Sequence, residues 1–336
     1  AVCRRRWAEP SHRMAVYTEV PEEALAAFLE GYDIGRPVSC HGIAEGVENS
    51  NFLLKTTQAT FILTLYERRV NPDELPWFLG LMQYLAQHGL SCPLPVADRQ
   101  GRTLRTLSGK PAAITTFLPG GWSRQVDTDM CAQVGGAMAR LHLLGEGFVA
   151  ERPNSMGPQS WTGLLEACRA RGDEVRPGLV AEIETVLARV LPAWPGVGNN
   201  PSLPRGQIHA DLFPDNVFFR DGKLSGLIDF YFACTDWYAY DLAIAINAWC
   251  FDADRRFMTD HAKAMVEGYR HVRPLEAAEE AALSTLATGA AIRFTLTRLY
   301  DWINTPSDAL VTRKDPLDYL VRMEFCAARM GERFLP

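Results

Sequence analysis

The amino-acid sequence contains no apolar segment long enough to cross a membrane. A transmembrane helix needs about 20 consecutive, mostly apolar residues. The longest candidate, residues 242–251, already contains Asn247. We therefore expect no membrane partner for this protein.

Clusters of positive charge are also scarce in this chain. Lysine and arginine together number 34 against 40 aspartate and glutamate residues, which gives a formal net charge of −6. The only run of basic residues is Arg4-Arg5-Arg6. Proteins that bind nucleic acids usually carry a basic patch or stripe, so we expect no nucleic-acid partner.

The cysteines and histidines lack the spacings of common metal and redox sites. The eight cysteines are scattered without a C-x-x-C pair, and the seven histidines include no H-E-x-x-H spacing. Scattered single cysteines in a chain of this size are typical of reduced, mostly buried thiols. The sequence therefore indicates a cytoplasmic protein.

Apolar residues, by contrast, are plentiful, at 47% of 336 residues. That content is ample for a packed core, and the length favours two lobes over one compact domain. Residues 1–13 show no periodicity, and we interpret them as a disordered extension or an expression remnant. An orderly pattern begins at Met14.

The most informative stretch spans residues 207–230. It contains His209-x-Asp211-x-x-x-x-Asn216, and Asp229 follows Asn216 by thirteen residues. A loop with this spacing, followed by a hairpin that delivers a second aspartate, can surround a magnesium–phosphate group and a substrate hydroxyl. In this interpretation Asp211 is the catalytic base and His209 supports the loop. Asn216 and Asp229 supply the oxygen ligands that Mg²⁺ prefers.

Parts of this pattern also occur by chance. One H-x-D is common, and a single aspartate at the end of a strand is usually a turn residue. Between Asn216 and Asp229, however, residues 220–223 are Arg-Asp-Gly-Lys, and Asp-Gly favours a β-hairpin. Four polar residues at this spacing around a hairpin therefore favour phosphoryl transfer.

The N-terminal third of the chain predicts an antiparallel sheet with two flanking helices. Strand patterns cover residues 37–43, 52–56, 61–66 and 112–118, with two short strands within 94–107 and helices at 21–29 and 73–88. The polar turn at residues 44–51 is a candidate cover for nucleotide phosphates through Gly46, Asn49 and Asn51. An ordinary hairpin loop is the alternative interpretation of this turn.

A Pro-Gly-Gly turn at residues 119–121 follows Phe117. We place the hinge between the lobes here, where backbone groups around Phe117 could meet the edge of an adenine. Beyond it the chain is mainly helical. Predicted helices cover residues 129–144, 162–171, 180–190, 242–249, 260–269, 276–287, 291–304 and 316–331.

Three polar side chains outside the central motif are further candidates. The helix at residues 291–304 carries Arg293, Arg298 and Asp301 on its polar side, which is either a solvated face or a substrate pocket. Guanidinium groups suit a carboxylate, and Asp301 suits an ammonium group.

Asp241 could cap the helix that follows it or support the catalytic loop. His142, beside an apolar face, is interpreted as a core residue.

With these residues assembled, the sequence from Met14 onward resembles the phosphotransferase superfamily of aminoglycoside and choline kinases. The stretches that carry this resemblance are residues 209–216, 228–230 and 241–243. Within that superfamily the sequence is similar to the bacterial homoserine kinase branch, on weaker matches such as residues 46–52 and 61–67.

The resemblance implies an α+β, two-lobed, protein-kinase-like fold that uses ATP and Mg²⁺. It assigns residues 14–118 to a nucleotide-binding lobe with an antiparallel sheet. Residues 119–336 form a larger, mostly helical lobe for catalysis and substrate binding. The implied substrate is a small molecule, with L-homoserine preferred.

One position departs from the pattern of this superfamily. Kinases of this shape usually carry a lysine on the third strand, which pairs the α- and β-phosphates. The corresponding residue here is Thr64, whose neutral side chain cannot offset phosphate charge. Three alternatives are open for binding the nucleotide phosphates beside Thr64. They are Lys55, Arg68, or Mg²⁺ together with backbone groups.

The sequence thus predicts ATP-dependent O-phosphorylation of L-homoserine. One alternative is the same chemistry on choline, methylthioribose, a sugar or an aminoglycoside. Another is a catalytically silent, kinase-like binding module, which Thr64 leaves open. A protein kinase fits poorly, because no Arg-Asp pair follows His209 and no long activation segment separates Asp229 from Asp241.

Overall fold

A computed structural model describes residues 18–43, 49–67, 71–305 and 313–335 of the chain. These ranges contain nine strands and nine α-helices, which confirms the predicted α+β class. No helix within them is long and apolar enough to span a membrane. The predicted extension at residues 1–13 lies outside the described residues.

The chain divides into two compact units. The first unit comprises Ala1–Pro76 and Pro95–Phe117, and the second comprises Trp77–Leu94 and Leu118–Pro336. The lobe boundary after residue 118 stays a prediction.

The first unit is built around a five-stranded antiparallel sheet. Its strands, in the spatial order β1-β2-β3-β5-β4, are β1 (Pro37–Gly42), β2 (Ser50–Thr56), β3 (Thr60–Leu65), β4 (Arg105–Leu107) and β5 (Lys110–Thr116). Helix α1 (Glu22–Leu29) buries Leu25, Phe28 and Leu29 in the core that this sheet shares.

Only one of the two short strands predicted within residues 94–107 forms as a strand. Pro95 makes a single isolated bridge to Thr115. The segment then turns, because the Asp98 side chain accepts hydrogen bonds from the backbone N–H groups of Gln100 and Arg102, both at 2.9 Å. Such a side-chain-to-backbone turn competes with strand pairing.

The second unit is mainly helical. Its helices are α2 (Leu75–Gln87, from Trp77 onward), α3 (Thr128–Gly145), α4 (Pro158–Cys168), α5 (Leu179–Ala193), α6 (Tyr238–Trp249), α7 (Thr259–Val272), α8 (Ala277–Asn304) and α9 (Pro316–Ala327). Two short antiparallel pairs complete it, β6 (Arg205–Ile208) with β9 (Cys234–Trp237) and β7 (Val217–Arg220) with β8 (Lys223–Leu227).

The two helices predicted at residues 276–287 and 291–304 are one continuous helix, α8. Gly289 lies in the gap between the two predictions but does not end the helix. A Cβ atom at Gly289 would collide with the side chains of Trp161 and Trp194. The glycine therefore allows two indole rings to approach the helix, and packing keeps the chain helical despite the weak propensity of glycine.

Helices α3 and α7 pack with their backbones in close contact. A Cβ atom at Gly135 would collide with the carbonyl oxygen of Met265, and one at Gly268 with the carbonyl oxygen of Ala132. Each helix thus offers a glycine at the point where the other helix crosses it.

Candidate active site

The predicted catalytic loop joins β6 to β7 in the second unit. It begins at His209, directly after β6, and ends in a single 3-10 turn at Pro214–Asn216. The hairpin of β7 and β8 then leads to Asp229. Its turn residues Asp221 and Gly222 both have positive φ angles, 51° and 75°, as a tight hairpin turn requires.

Three predicted site residues lie together at this loop. The Asn216 side-chain amide donates to the Asp211 carbonyl oxygen at 2.8 Å and to the Asp211 carboxylate at 3.2 Å. The Asn216 carbonyl oxygen accepts from the Ile228 N–H at 3.0 Å, which joins the loop to the residue before Asp229. Asp229 itself has a left-handed backbone, with φ 65° and ψ 66°.

The surroundings of Asp211 favour its protonated form. Burial raises the pKa of this carboxyl to about 8, and the negative charge of Asp229 acts in the same direction. The positive charges of Arg293 and Lys314 oppose this rise. A carboxyl group with a pKa near neutrality suits a general base that must both accept and release a proton.

The Asp241 side chain stabilises the start of the loop. Its carboxylate accepts hydrogen bonds from the backbone N–H of His209 at 2.9 Å and of Ala210 at 2.7 Å. Ala210 has a φ of 59°, a conformation that non-glycine residues rarely adopt. Because α6 begins at Tyr238, Asp241 lies inside the helix and does not cap it. Of the two roles considered for Asp241, its contacts are those of loop support.

His209 is a buried support of the same loop. Its Nε2 atom lies 2.9 Å from the Ile228 carbonyl oxygen, so the imidazole joins the start of the loop to the segment that carries Asp229. Burial lowers the pKa of His209 below its usual range, which keeps the ring neutral.

A chain of buried hydrogen bonds continues outward from Asp241. His142 Nε2 lies 3.0 Å from the Asp241 carboxylate, and His142 Nδ1 lies 2.7 Å from the Tyr269 hydroxyl. The Tyr269 hydroxyl accepts from Arg273 at 3.3 Å, and Arg273 forms a buried ion pair with Glu279 at 3.0 Å. His142 is therefore a core residue, as interpreted from the sequence, but one that holds Asp241.

Arg293 lies against the loop from helix α8. Its side chain is only 2% exposed, and its Nη1 atom donates to the Ala210 carbonyl oxygen at 2.7 Å. The guanidinium also lies over the rings of Phe232 and Phe294, at 5.5 and 4.6 Å from their centroids. Ala210 is thus held at its N–H by Asp241 and at its carbonyl by Arg293.

The two other predicted substrate residues on α8 differ from Arg293 in their surroundings. Arg298 forms an ion pair with Asp318 of α9 at 3.1 Å and lies 4.3 Å above the ring of Tyr319. Asp301 lies on an exposed part of α8. The sequence did not indicate Lys314, which follows α8 and whose charge acts on Asp211.

The nucleotide residues predicted in the first unit lie on and beside its sheet. Thr64 is buried and donates to the Asn51 side chain at 2.8 Å across the β2–β3 pair. The Asn49 side chain accepts from the Glu67 N–H at 3.3 Å. Phe117, directly after β5, is 42% exposed. Lys55 is exposed on β2, whereas Gly46 and Arg68 lie outside the described residues.

Comparison with known proteins assigns this chain to a family. The model of the phosphotransferase enzyme family matches residues 39–275. A protein of Gluconacetobacter diazotrophicus named homoserine kinase is 64% identical over 93% of this chain and 96% of its own length. A homoserine kinase of Rhodospirillum rubrum is 56% identical over 95% of this chain and 98% of its own.

Solved structures show the same fold at low sequence identity. An amicoumacin kinase has a TM-score of 0.65 at 14% identity, covering 93% of this chain and 95% of its own. A choline kinase of Cryptosporidium parvum has a TM-score of 0.64 at 13% identity, covering 92% and 95%. These likenesses confirm the predicted protein-kinase-like fold.

The family match and the relatives named homoserine kinase together define a small-molecule kinase with this fold. The chain belongs to the phosphotransferase enzyme family, in the homoserine kinase branch formed by its bacterial relatives.

Proposed function

We propose that this protein transfers the γ-phosphoryl group of ATP to the hydroxyl of L-homoserine, forming O-phospho-L-homoserine and ADP. The arrangement of Asp211, Asn216 and Asp229 carries the proposal, in a chain 54–64% identical to relatives named homoserine kinase. The reaction places the protein in threonine biosynthesis. The free thiols of the described cysteines are in keeping with a cytoplasmic enzyme.

Asp211 is the base in this mechanism. The substrate hydroxyl attacks the γ-phosphorus in line, the bond from phosphorus to the bridging oxygen of ADP breaks, and Asp211 accepts the hydroxyl proton. Little bond chemistry is left for protein groups to perform, so orientation and charge neutralisation supply most of the rate. The hydrogen bonds around Ala210 supply that orientation, because they fix the residue before the base.

Asn216 and Asp229 are the proposed ligands of Mg²⁺. The amide nitrogen of Asn216 points to Asp211, which leaves its amide oxygen for a cation. Among the described residues no group of three or more His, Cys, Asp or Glu could hold a metal ion. The amide oxygen of Asn216 and the carboxylate of Asp229 would suit Mg²⁺, which is usually bound through one or two carboxylates together with substrate phosphates. When bound, the ion neutralises phosphate charge.

ATP is the proposed phosphoryl donor, and the first unit is proposed to bind it. The proposed contacts are the backbone near Phe117 and the turn and strand residues Gly46, Asn49, Asn51 and Thr64. The Thr64 hydroxyl already donates to Asn51, so it shapes this surface without adding charge. Neutralisation of the phosphates then falls on Mg²⁺ and on a cation such as Lys55 or Arg68.

L-Homoserine is proposed to contact Arg293, Arg298 and Asp301. Arg293 and Arg298 each have a protein partner, so either would bind substrate only with its remaining N–H groups. Single variants that raise KM for L-homoserine with kcat unchanged would assign a residue to substrate binding, because uniform binding affects KM alone.

A screen of ATP consumption against small alcohols and amino acids tests the function. We expect ADP formation with L-homoserine to exceed that with choline, methylthioribose, sugars and aminoglycosides. Preference for another alcohol would replace the substrate. Nucleotide binding without turnover on any alcohol would show a silent binding module.

Asp211→Asn tests the mechanism in the same assay. We expect kcat to fall by a factor on the order of 10²–10⁴, because the proton acceptor is lost. ATP binding, measured by calorimetry, should be largely kept. Near-normal turnover in this variant would remove Asp211 from the mechanism.

A further inference from the structure

Lys314 lies close to the proposed base but has no role in the mechanism given so far. Two cations lie beside the loop that carries the base. Arg293 donates to the Ala210 carbonyl oxygen at 2.7 Å, and Lys314 Nζ lies over the ring of Phe213. Phe213 follows Asp211 by two residues, so Lys314 lies beside the proposed catalytic loop.

Arg293 and Lys314 differ in the contacts that their charged groups make with the protein. Arg293 is buried and donates to the Ala210 carbonyl oxygen. Lys314 is exposed and forms no ion pair with any carboxylate of the described residues. Arg298, the next cation on this side, is paired with Asp318. The ammonium group of Lys314 is thus available to an anionic ligand.

The backbone on both sides of Lys314 is fixed by its neighbours. Arg313 donates to the Trp302 carbonyl oxygen at 3.0 Å and lies over the Trp302 ring. Asp315 caps α9 by accepting from the Leu317 N–H at 2.9 Å, and it also pairs with Arg255 at 3.0 Å. An anchored backbone limits where the lysine stem can reach.

The ammonium group itself lies over the catalytic loop. Lys314 Nζ is 5.5 Å from the centroid of Phe213, which follows Asp211 by two residues. Phe213 is held edge-on by Phe294, with ring centroids 4.9 Å apart. A cation–π contact at an exposed site contributes only about 0.5–1 kcal/mol, so a stronger anionic partner would displace it.

We propose that Lys314 binds the carboxylate of the substrate and so selects an amino-acid alcohol over an alcohol without a carboxylate. The inference rests on the proposed function and assigns its specificity. In extended L-homoserine the hydroxyl oxygen and the carboxylate carbon are about 5 Å apart, from four bonds of about 1.5 Å. A hydrogen bond of about 3 Å at each end places the required cation about 8–10 Å from the base.

Lys314→Met tests this inference, because methionine keeps most of the stem and removes the charge. We compare L-homoserine with 3-aminopropan-1-ol, which has the same chain and amine but no carboxylate. The variant should lose about 10–100-fold in kcat/KM for L-homoserine, mainly through KM, the size expected for one charged hydrogen bond. For 3-aminopropan-1-ol the change should stay within about twofold, since no carboxylate contact is lost.

Where turnover of 3-aminopropan-1-ol is slow, its inhibition constant against L-homoserine reports its affinity. Lys314→Arg should keep most of the wild-type kcat/KM, because the charge remains. Lys263→Met on α7 is the matched control, and its kinetics should equal those of the wild type. Thermal unfolding of each variant checks that folding is intact.

Each other outcome overturns the inference in a recognisable way. An equal loss for both alcohols would show that Lys314 does not contact the carboxylate. A rise in KM for ATP alone would assign the lysine to nucleotide phosphates. Unchanged kinetics in Lys314→Met would remove it from the site. Failure of the wild type to phosphorylate L-homoserine would instead overturn the proposed function.

Discussion

Ala210 is the residue on which the geometry of the catalytic loop depends most directly. Its left-handed backbone turns the chain between His209 and Asp211, and an alanine adopts it only when its surroundings compensate the strain. Two buried charged groups provide this compensation, Asp241 at the N–H and Arg293 at the carbonyl. The orientation of the base therefore depends on side chains that are distant in sequence.

Arg293→Met separates a positioning role from substrate binding. The variant leaves the buried Ala210 carbonyl oxygen without its donor, which costs about 1–3 kcal/mol. If the lost hydrogen bond disturbs the orientation of Asp211, kcat for L-homoserine should drop about 10–100-fold, because about 1.4 kcal/mol is a factor of ten in rate. Steady-state kinetics at saturating ATP measures it.

Arg293→Lys is the companion variant, because it keeps the charge and one donor. It should recover part of the lost kcat. A rise in KM for L-homoserine with kcat unchanged in both variants would contradict the positioning role and favour the substrate contact predicted from the sequence.

At the scale of elements, the close crossing of α3 and α7 allows the buried hydrogen bonds that run from Glu279 through Tyr269 and His142 to Asp241. His142 belongs to α3, whereas Tyr269 belongs to α7. Their 2.7 Å contact requires the two helices to approach closely. Gly135 and Gly268 permit that approach, since a side chain at either position would meet backbone of the other helix.

Gly268→Ala should therefore lower the free energy of unfolding by about 1–3 kcal/mol, the usual cost of overpacking against atoms that cannot move aside. Urea unfolding followed by circular dichroism measures the change.

The matched control for Gly268→Ala is Gly163→Ala in α4. Gly163 is exposed, and nothing lies within 4 Å of a Cβ atom there. It should gain about 0.5–1 kcal/mol of stability, because alanine favours a helix interior more than glycine does. Equal effects at both positions would show that helix propensity, and not the crossing of α3 and α7, determines the result.

At the scale of the whole molecule, two buried neutral histidines make stability depend on pH. Burial lowers the pKa of His142 and of His209 below the ordinary value of 6.5. In the unfolded chain each imidazole gains a proton near that value, so the unfolded state binds more protons at lower pH. The stability that these two histidines contribute is therefore full above about pH 6.5 and is lost as the pH falls below it.

Each such histidine contributes a slope of up to about 1.4 kcal/mol per pH unit. His142→Gln keeps a donor for Asp241 but does not titrate. Asp211, with its pKa raised to about 8, contributes in the opposite direction in both proteins. Urea unfolding between about pH 7.5 and 5 should therefore show that the free energy of unfolding of the wild type falls relative to that of His142→Gln as the pH falls. Identical slopes would exclude His142 as a source of acid sensitivity.

The local part of the site is predictable from the sequence because it depends on short-range rules. The catalytic motif and its hairpin lie within residues 207–230, and the positive φ angles of Asp221 and Gly222 follow from an Asp-Gly turn. The strands of the first sheet likewise follow from alternating apolar residues and polar turns.

Other features depend on contacts between distant residues. Gly289 marks a helix end by local rules, but two indole rings pack against it inside a continuous helix. Asp241 could cap a helix by its sequence position, but its carboxylate binds the backbone of residues 209 and 210. Periodicity contains no information about either contact.

The amino-acid sequence by itself determined the proposed chemistry of this protein, because the proposed base and metal ligands are specified by type and by spacing along one short loop and its hairpin. Only the tertiary structure decided which cations lie beside that loop. Arg293 and Lys314 lie 82 and 103 residues beyond Asp211 in the chain, and folding alone brings them to Ala210 and Phe213 on either side of it.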